Sequence, residues 1–154
     1  MAKTIEEVIE EKGFYVTTPK GTSMFPMLRG NHSILVVKPA LPLKKHDVAL
    51  YRRSNGEYVL HRVMGLNKEG YIFCGDNQWV LEYGITDEQI IATLSEWYKK
   101  DRTFTAEDLR YKRYVRFWCK SLKLRHFLLF FCHKFMFLKQ LTKEIGVKLF
   151  GKNK

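Results

Sequence analysis

A serine and a histidine in separate parts of the sequence have settings that suit nucleophilic catalysis. Ser23 stands in the run Gly-Thr-Ser-Met-Phe-Pro (residues 21–26), and His61 stands in Leu-His-Arg-Val (residues 60–63). A serine hydroxyl is a poor nucleophile until a base takes its proton, and a histidine with an ordinary pKa of about 6.5 can take it at neutral pH. Either residue alone says little, but a serine and a histidine that the fold brings together could act as a nucleophile and its general base.

Four motifs, in order along residues 21–77, resemble those of type I signal peptidases and LexA-like serine peptidases. The run around Ser23 resembles the family's Ser-Met-x-Pro nucleophile motif, residues 45–51 resemble its Gly-Asp-Ile-Val-x-Phe strand, and residues 60–63 resemble its base motif. Gly75-Asp76-Asn77 matches its Gly-Asp-Asn box. A histidine instead of a lysine at the base position makes the chain similar to the Ser-His branch, which includes signal peptidases of the endoplasmic reticulum and of archaea.

The resemblance implies a serine endopeptidase with Ser23 as nucleophile and His61 as general base. A third, acidic residue should orient the imidazole, and both Asp76 of the box and Glu82, six residues later, are candidates. We expect the Ser23 backbone N–H to carry most of the oxyanion stabilisation, because Gly21 stands where the family often has a hydroxyl donor. No metal or cofactor is expected.

The implied substrate is a precursor peptide or protein whose signal or leader segment adds as an extended strand to an exposed edge, here residues 14–25. Two alternatives stay open. The enzyme could instead remove leaders from ribosomally made peptides. The domain could also be a catalytically inactive peptide-binding module at a membrane surface, since Gly21 and Glu82 depart from the family pattern. The sequence leaves the oligomeric state open.

Residues 14–100 consist of short apolar runs broken by turn residues. This pattern predicts a mainly β domain, and the resemblance implies that it is the peptidase domain. Six strands are expected, with hairpin turns at Ser54-Asn55-Gly56 and at Asn67 to Gly70. Closure of the strands would remove bare sheet edges. We therefore expect a small twisted antiparallel β-barrel of the signal peptidase and LexA type.

The N-terminal segment and the cysteines give no sign of export. Residues 1–13 predict a short helix over 5–12, with a capping box formed by Thr4 and Glu7 and a stop at Gly13. The segment is acidic and periodic, so we expect neither a secretory signal nor a membrane-spanning anchor. The three cysteines form no metal-binding or C-x-x-C spacing and are expected to be buried thiols in a reducing compartment.

Residues 101–154 are expected to form a basic amphipathic helical tail. The net charge of +11 resides here, because residues 1–98 contain 11 Lys and Arg against 12 Asp and Glu, whereas residues 99–154 contain 16 against 4. Cations interleaved with aromatic residues over 105–150 suit an anionic membrane surface, so we expect a peripheral protein on the cytoplasmic face. The alternative is a helix that packs on the barrel. No nucleic-acid-reading motif accompanies the charge, so nucleic acid is not an expected partner.

Overall fold

The computed structural model describes residues 3–30, 32–132 and 134–135, which belong to two compact units, residues 1–120 and residues 121–154. The chain is mainly β, as the sequence predicts. In the second unit, residues 122–132 and 134–135 are helical. The elements of the first unit are α1 (Ile5–Lys12), β1 (Tyr15–Thr17), β2 (Ser33–Lys38), β3 (Val48–Arg52), β4 (Tyr58–Asn67), β5 (Gly70–Cys74), β6 (Glu82–Ile85), a 3₁₀ turn (Asp87–Gln89), β7 (Ile90–Lys99), β8 (Arg102–Thr105) and α2 (Leu109–Trp118).

Helix α1 confirms the prediction made from its capping residues. The Glu7 N–H donates to Thr4 Oγ1 at 3.2 Å, and the Thr4 N–H donates to Glu7 Oε2 at 2.9 Å. Gly13 ends the helix in the left-handed conformation, with φ of 76°. Ile9 is the buried residue of the helix and packs in a cluster with apolar residues of β2, β3 and β7, so α1 covers part of the sheet.

All strands belong to one antiparallel sheet in the order β1-β2-β7-β3-β4-β5-β6, and β8 pairs with β7. Both predicted hairpins are present, because β3 pairs with β4 across residues 53–57 and β4 pairs with β5 across Asn67 and Gly70. β7 is an interior strand with three partners in the described sheet. It pairs with β2 along one edge and with β3 and then β8 along the other.

The predicted closure into a barrel is wrong for the described strands. β1 and β6 are the two ends of the pairing order, and they do not pair with each other. The apolar faces are covered in another way: α1 contributes Ile9, the segment after Ser23 contributes methionines and a leucine, and α2 contributes Tyr111 and Tyr114. Burial of the sheet by these segments makes closure unnecessary for forming a core.

Two strands and one helix boundary differ from the sequence prediction. β6 and β8 were not predicted, and residues 102–105, which were expected to open the helical tail, pair with residues 96–99 of β7. α2 therefore begins after Asp108, later than the start of the predicted helical tail at residue 101. The expectation of buried thiols holds for Cys74, whereas Cys119 is half-buried and Cys132 is exposed.

In the part of the chain that the structure describes, no helix is long and apolar enough to cross a membrane. The predicted tail is described only as far as residue 135, so its predicted extension to residue 150 lies largely outside the described residues.

Candidate active site

Ser23 opens a turn over residues 23–27, between β1 and β2. Met24, Met27 and Leu28 are buried together in one hydrophobic cluster with residues of β2, β3 and β7. The Leu28 N–H donates to the Met24 carbonyl oxygen at 2.8 Å. The apolar neighbours thus anchor the turn in the core, while Ser23 itself stays half-buried.

The Gly75-Asp76-Asn77 segment holds the backbone of Ser23. The Asn77 N–H donates to the Ser23 carbonyl oxygen at 2.7 Å. A Cβ added to Gly75 would lie 2.6 Å from that same oxygen, which is closer than a Cβ carbon can approach a carbonyl oxygen. Glycine at position 75 therefore lets the two segments meet, and the contact fixes Ser23 from its carbonyl side.

Gly21 has a φ of 76°, in the left-handed region that favours glycine. A serine or threonine at this position, where the resemblance implies a hydroxyl donor, would be strained. The departure from the motif at Gly21 therefore agrees with the backbone conformation. The Ser23 N–H remains the expected oxyanion donor.

His61 lies within β4, directly opposite Ala49 of β3, and is 5% exposed. The edge of its ring faces Tyr51, with ring centroids 6.3 Å apart. The Tyr51 hydroxyl oxygen is 3.3 Å from His61 Nδ1. Burial lowers the pKa of His61 to about 4, although the nearby carboxylates of Glu82 and Asp76 oppose the shift. At neutral pH the imidazole is therefore neutral, which is the form that a general base requires.

Glu82, the first residue of β6, is connected to His61 through Tyr51. The Tyr51 hydroxyl donates to Glu82 Oε2 at 2.7 Å. Arg53 donates two hydrogen bonds to the same carboxylate, from Nε to Oε1 at 2.7 Å and from Nη2 to Oε2 at 2.6 Å. The hydrogen bonds from Arg53, and secondarily from Tyr51, lower the pKa of Glu82, so this carboxylate is ionised at neutral pH.

Asp76, the other predicted third residue, forms a fully buried ion pair with Arg62. Arg62 Nε donates to Oδ1 at 2.8 Å and Nη2 donates to Oδ2 at 2.6 Å. The Tyr114 hydroxyl donates to Oδ2 at 2.9 Å. Arg62 also donates to the His46 carbonyl oxygen and contacts Met27 Sδ. Asp76 and Arg62 thereby join β4, α2 and the turn over residues 23–27, which we call the serine turn.

Ser23 and His61 line the same cavity, which has a volume of about 650 Å³. Its walls include Tyr15 and Thr17 of the edge strand β1, and much of the remaining lining is apolar, from Met24, Leu28, Leu35, Val37, Leu50 and Leu60. No hydrogen bond joins the Ser23 hydroxyl to His61 among the described residues. Such bonds are often long in a free enzyme and tighten when substrate binds.

Three residues of this region were missed at the level of sequence: Tyr51, Arg53 and Arg62. The predicted hairpin at residues 54–56 carried the signal for Tyr51, because its register puts Ala49 opposite His61 and the two-residue period then brings Tyr51 to the same face. Arg62 gave a weaker signal, since a charged residue inside a hydrophobic strand needs a buried partner.

In the described ranges of the chain, no group of three or more His, Cys, Asp or Glu residues is placed to hold a metal ion. A scan against models of protein families, a search of curated proteins and a search of solved structures each returned no match. The geometry of the site and the motifs that form it are therefore the basis on which a function can be proposed.

Proposed function

We propose that the chain is a serine endopeptidase of the signal peptidase type, which removes a signal or leader segment from a precursor. The observation that carries the proposal is that Ser23 and His61, from separate segments, line one cavity beside a free sheet edge. The motif order supports it as well, because the Gly-Asp-Asn box contacts the serine turn directly through Asn77 and Gly75.

In the proposed reaction, His61 accepts the Ser23 proton while Ser23 Oγ attacks the carbonyl carbon of the scissile peptide bond. The Ser23 N–H donates to the oxyanion that forms. His61 then gives the proton to the leaving amine, and the acyl-enzyme remains on Ser23. The amine that leaves is the new N-terminus of the shortened precursor, and the signal or leader segment is the acyl group on Ser23. A water molecule, deprotonated by His61, then attacks the ester and releases this segment with a free carboxylate, and the proton returns to Ser23 Oγ.

The edge strand β1 suits the binding of an extended substrate. β1 pairs with β2 and lies at the end of the sheet, and Val16 in its centre is half exposed. Tyr15 and Thr17 line the cavity that contains Ser23. A peptide added as a further strand would bring its scissile bond along this cavity, and apolar side chains of the substrate would contact the apolar wall.

The substrates can be identified by replacing Ser23 with alanine in the producing cell. We expect precursors that keep their signal or leader segment to accumulate, and mass spectrometry of protein N-termini would detect them. A Ser54→Ala strain is the matched control, because Ser54 is exposed in the hairpin turn and is not among the residues that line the cavity. Identical N-termini in the Ser23→Ala and Ser54→Ala strains would contradict the proposal.

The same experiment separates two alternatives. If the accumulating precursors are short ribosomally made peptides, the enzyme is a leader peptidase for that class. If the purified chain binds such peptides without cleaving them, the domain is a catalytically inactive peptide-binding module. The left-handed Gly21, which offers no hydroxyl donor, is the observation that favours this second alternative.

We also propose that the second unit attaches the enzyme to an anionic membrane surface as a peripheral protein, on the cytoplasmic face. In the described helical segment, Phe127, Phe130, Phe131 and Phe135 are each more than half exposed. Phe127 and Phe131 contact each other, and Lys134 lies over the Phe130 ring. Exposed aromatic rings can insert between lipid headgroups, and neighbouring cations are attracted to anionic headgroups, so this combination suits an anionic membrane surface.

Flotation of the full-length chain with vesicles tests the attachment. We expect co-flotation with vesicles rich in phosphatidylserine and loss of binding in the double variant Phe127→Ser/Phe131→Ser. The control variant is Leu66→Ser, which removes an exposed leucine of β4 in the first unit. Equal binding to phosphatidylcholine vesicles, or equal binding of the double variant, would contradict the proposal.

A further inference from the structure

The hydroxyl of Tyr51 lies between His61 and Glu82 and has one proton to donate. The hydroxyl donates this proton to Glu82 Oε2, which is 2.7 Å away and belongs to an ionised carboxylate, the stronger acceptor. The hydroxyl oxygen is then left as an acceptor toward His61 Nδ1 at 3.3 Å. Because an acceptor needs a donor, the proton of the neutral imidazole must reside on Nδ1.

A proton on Nδ1 leaves Nε2 with its lone pair. Nε2 is thus the atom of His61 that can accept a proton from Ser23 when a substrate occupies the cavity. During the reaction His61 becomes a cation in a buried position, where an isolated charge is costly. The path from Nδ1 through the Tyr51 oxygen to Glu82 places an acceptor and a negative charge on the Nδ1 side of the ring.

We infer that Tyr51 is a positioning residue that fixes the Nδ1–H tautomer of His61 and couples the imidazole to Glu82. This inference rests on the proposed function for its role in catalysis, but the hydrogen-bond series itself is independent of it. Here Tyr51 and Glu82 together take the place of a single acidic residue, and the longer Glu82 side chain reaches the tyrosine instead of the histidine. Asp76 is left to its ion pair with Arg62.

Neighbouring side chains hold the Tyr51 and Glu82 side chains, and with them the hydrogen bonds between His61 and Glu82, in place. Arg53 fixes both oxygens of Glu82, and the Tyr51 ring stacks on Phe73 with centroids 4.5 Å apart. Tyr51 is itself fully buried. Substitution by phenylalanine would therefore remove the hydroxyl and keep the ring packing, which makes Tyr51→Phe a variant expected to fold.

The first test is the tautomer of His61, measured by ¹⁵N NMR of the histidine rings in the full chain at neutral pH. In the wild type we expect a protonated-type shift for Nδ1 and an unprotonated-type shift for Nε2, assigned with a His61→Ala sample. In Tyr51→Phe we expect the proton to move largely to Nε2. A wild-type ring protonated on Nε2, or an unchanged tautomer in Tyr51→Phe, would overturn the inference.

The second test is kinetic and uses a precursor found by the N-terminal analysis. Tyr51→Phe should lower kcat by about ten- to a hundredfold and leave KM within about twofold, because a positioned base contributes on the order of a hundredfold or more. Glu82→Gln should change the tautomer and kcat in the same direction. Tyr71→Phe is the control: it removes another buried hydroxyl, which accepts from the Leu43 N–H, and should change neither the tautomer nor kcat.

The outcomes distinguish the inference from the proposed function. If Ser23→Ala abolishes cleavage while Tyr51→Phe retains full kcat, the inference fails and the peptidase proposal stands. If the tautomer shifts as expected in a chain that cleaves nothing, the peptidase proposal fails and the structural part of the inference stands.

Discussion

As the proposed general base, His61 combines two properties that act against each other. Its burial keeps the imidazole neutral, so the base form is always present at neutral pH, but the same burial makes the cation that forms during catalysis expensive. The neighbouring charged groups are the carboxylates of Glu82, Asp76 and Glu57 and the guanidinium of Arg53. The position of Glu82, behind Tyr51, is the one that can compensate the cation.

The pH dependence of cleavage should report this environment. With the pKa of His61 lowered by burial to about 4, kcat/KM should stay high down to about pH 5 and fall as the pH drops through about 4. The measurement is kcat/KM of the full chain from pH 3.5 to 8, with refolding controls at each pH. An acid limb centred near pH 6.5, the ordinary histidine value, would contradict a buried His61 as the base.

The free energy of unfolding should also depend on the ionisation of His61. A histidine in the unfolded chain keeps an ordinary pKa of about 6.5, so between pH 6.5 and 4 the unfolded state binds more protons at this position than the folded state. The contribution of neutral His61 to stability is therefore present above pH 6.5 and is lost as the pH falls toward 4. Urea unfolding of wild type and His61→Phe at pH 7 and pH 5 measures it; a free energy that falls equally in both would contradict it.

At the residue scale, the sequence could predict Ser23, His61, Asp76 and Glu82 because short motifs carry them. It could not choose between the two acids, since that choice depends on which carboxylate the register of four strands brings to Tyr51. Arg62 was predictable only as part of the base motif, because its partner Asp76 is 14 positions away in sequence.

Among the elements, the contact between the serine turn and the Gly-Asp-Asn segment is the one on which the proposed catalysis depends. Two short segments, neither of them a strand, approach so closely that backbone meets backbone. The position of Ser23 relative to His61 of β4 is set by this contact and by the buried methionines of the turn.

Gly75→Ala tests the contact. The added methyl group would meet the Ser23 carbonyl oxygen, so the serine turn must shift, and a displacement of about 1 Å can cost about a hundredfold in rate. Gly65→Ala in β4 is the matched control, because its Cβ would be 3.7 Å from Ile72 Cδ1, an ordinary contact. We expect a large loss of kcat/KM in the first variant alone; similar values for both would show that Ser23 is positioned otherwise.

The elements themselves were mostly predictable. Hydrophobic runs and turn residues identified α1, six strands and both hairpins, because each of these signals is local. β6 contains a glycine at position 84, and β8, with Arg102 and two threonines, has a single large apolar residue, so neither shows an apolar run. Barrel closure was predicted because it would remove bare sheet edges. The prediction was wrong because α1, the serine turn and α2 cover the sheet, and the packing of such distant segments cannot be read from local patterns.

At the scale of the first unit, the Arg62–Asp76 ion pair joins parts that are distant in sequence. It connects β4 to the Gly-Asp-Asn segment, and both partners contact tyrosines of α2, Tyr111 and Tyr114. A fully buried ion pair contributes little net free energy when intact, but removal of one partner leaves an uncompensated charge.

Asp76→Asn should therefore lower the free energy of unfolding by about 3–5 kcal/mol, because Arg62 would be left buried without its counter-charge. Urea denaturation of the full chain followed by intrinsic fluorescence measures the change. Glu107→Gln, which breaks the exposed Lys112–Glu107 pair, should leave the unfolding midpoint unchanged. Equal midpoints for Asp76→Asn and Glu107→Gln would contradict the structural role of Asp76.

Mass mapping of a covalent adduct is the sharpest test of the proposal that Ser23 is a nucleophile activated by His61. Full-length chain is treated with a serine-directed fluorophosphonate probe, digested and sequenced by mass spectrometry. We predict an adduct on Ser23 in the wild type and in the control His32→Ala, whose histidine is exposed, and none in His61→Ala. The absence of an adduct on Ser23 in the wild type, or an equal adduct in His61→Ala, would contradict the account.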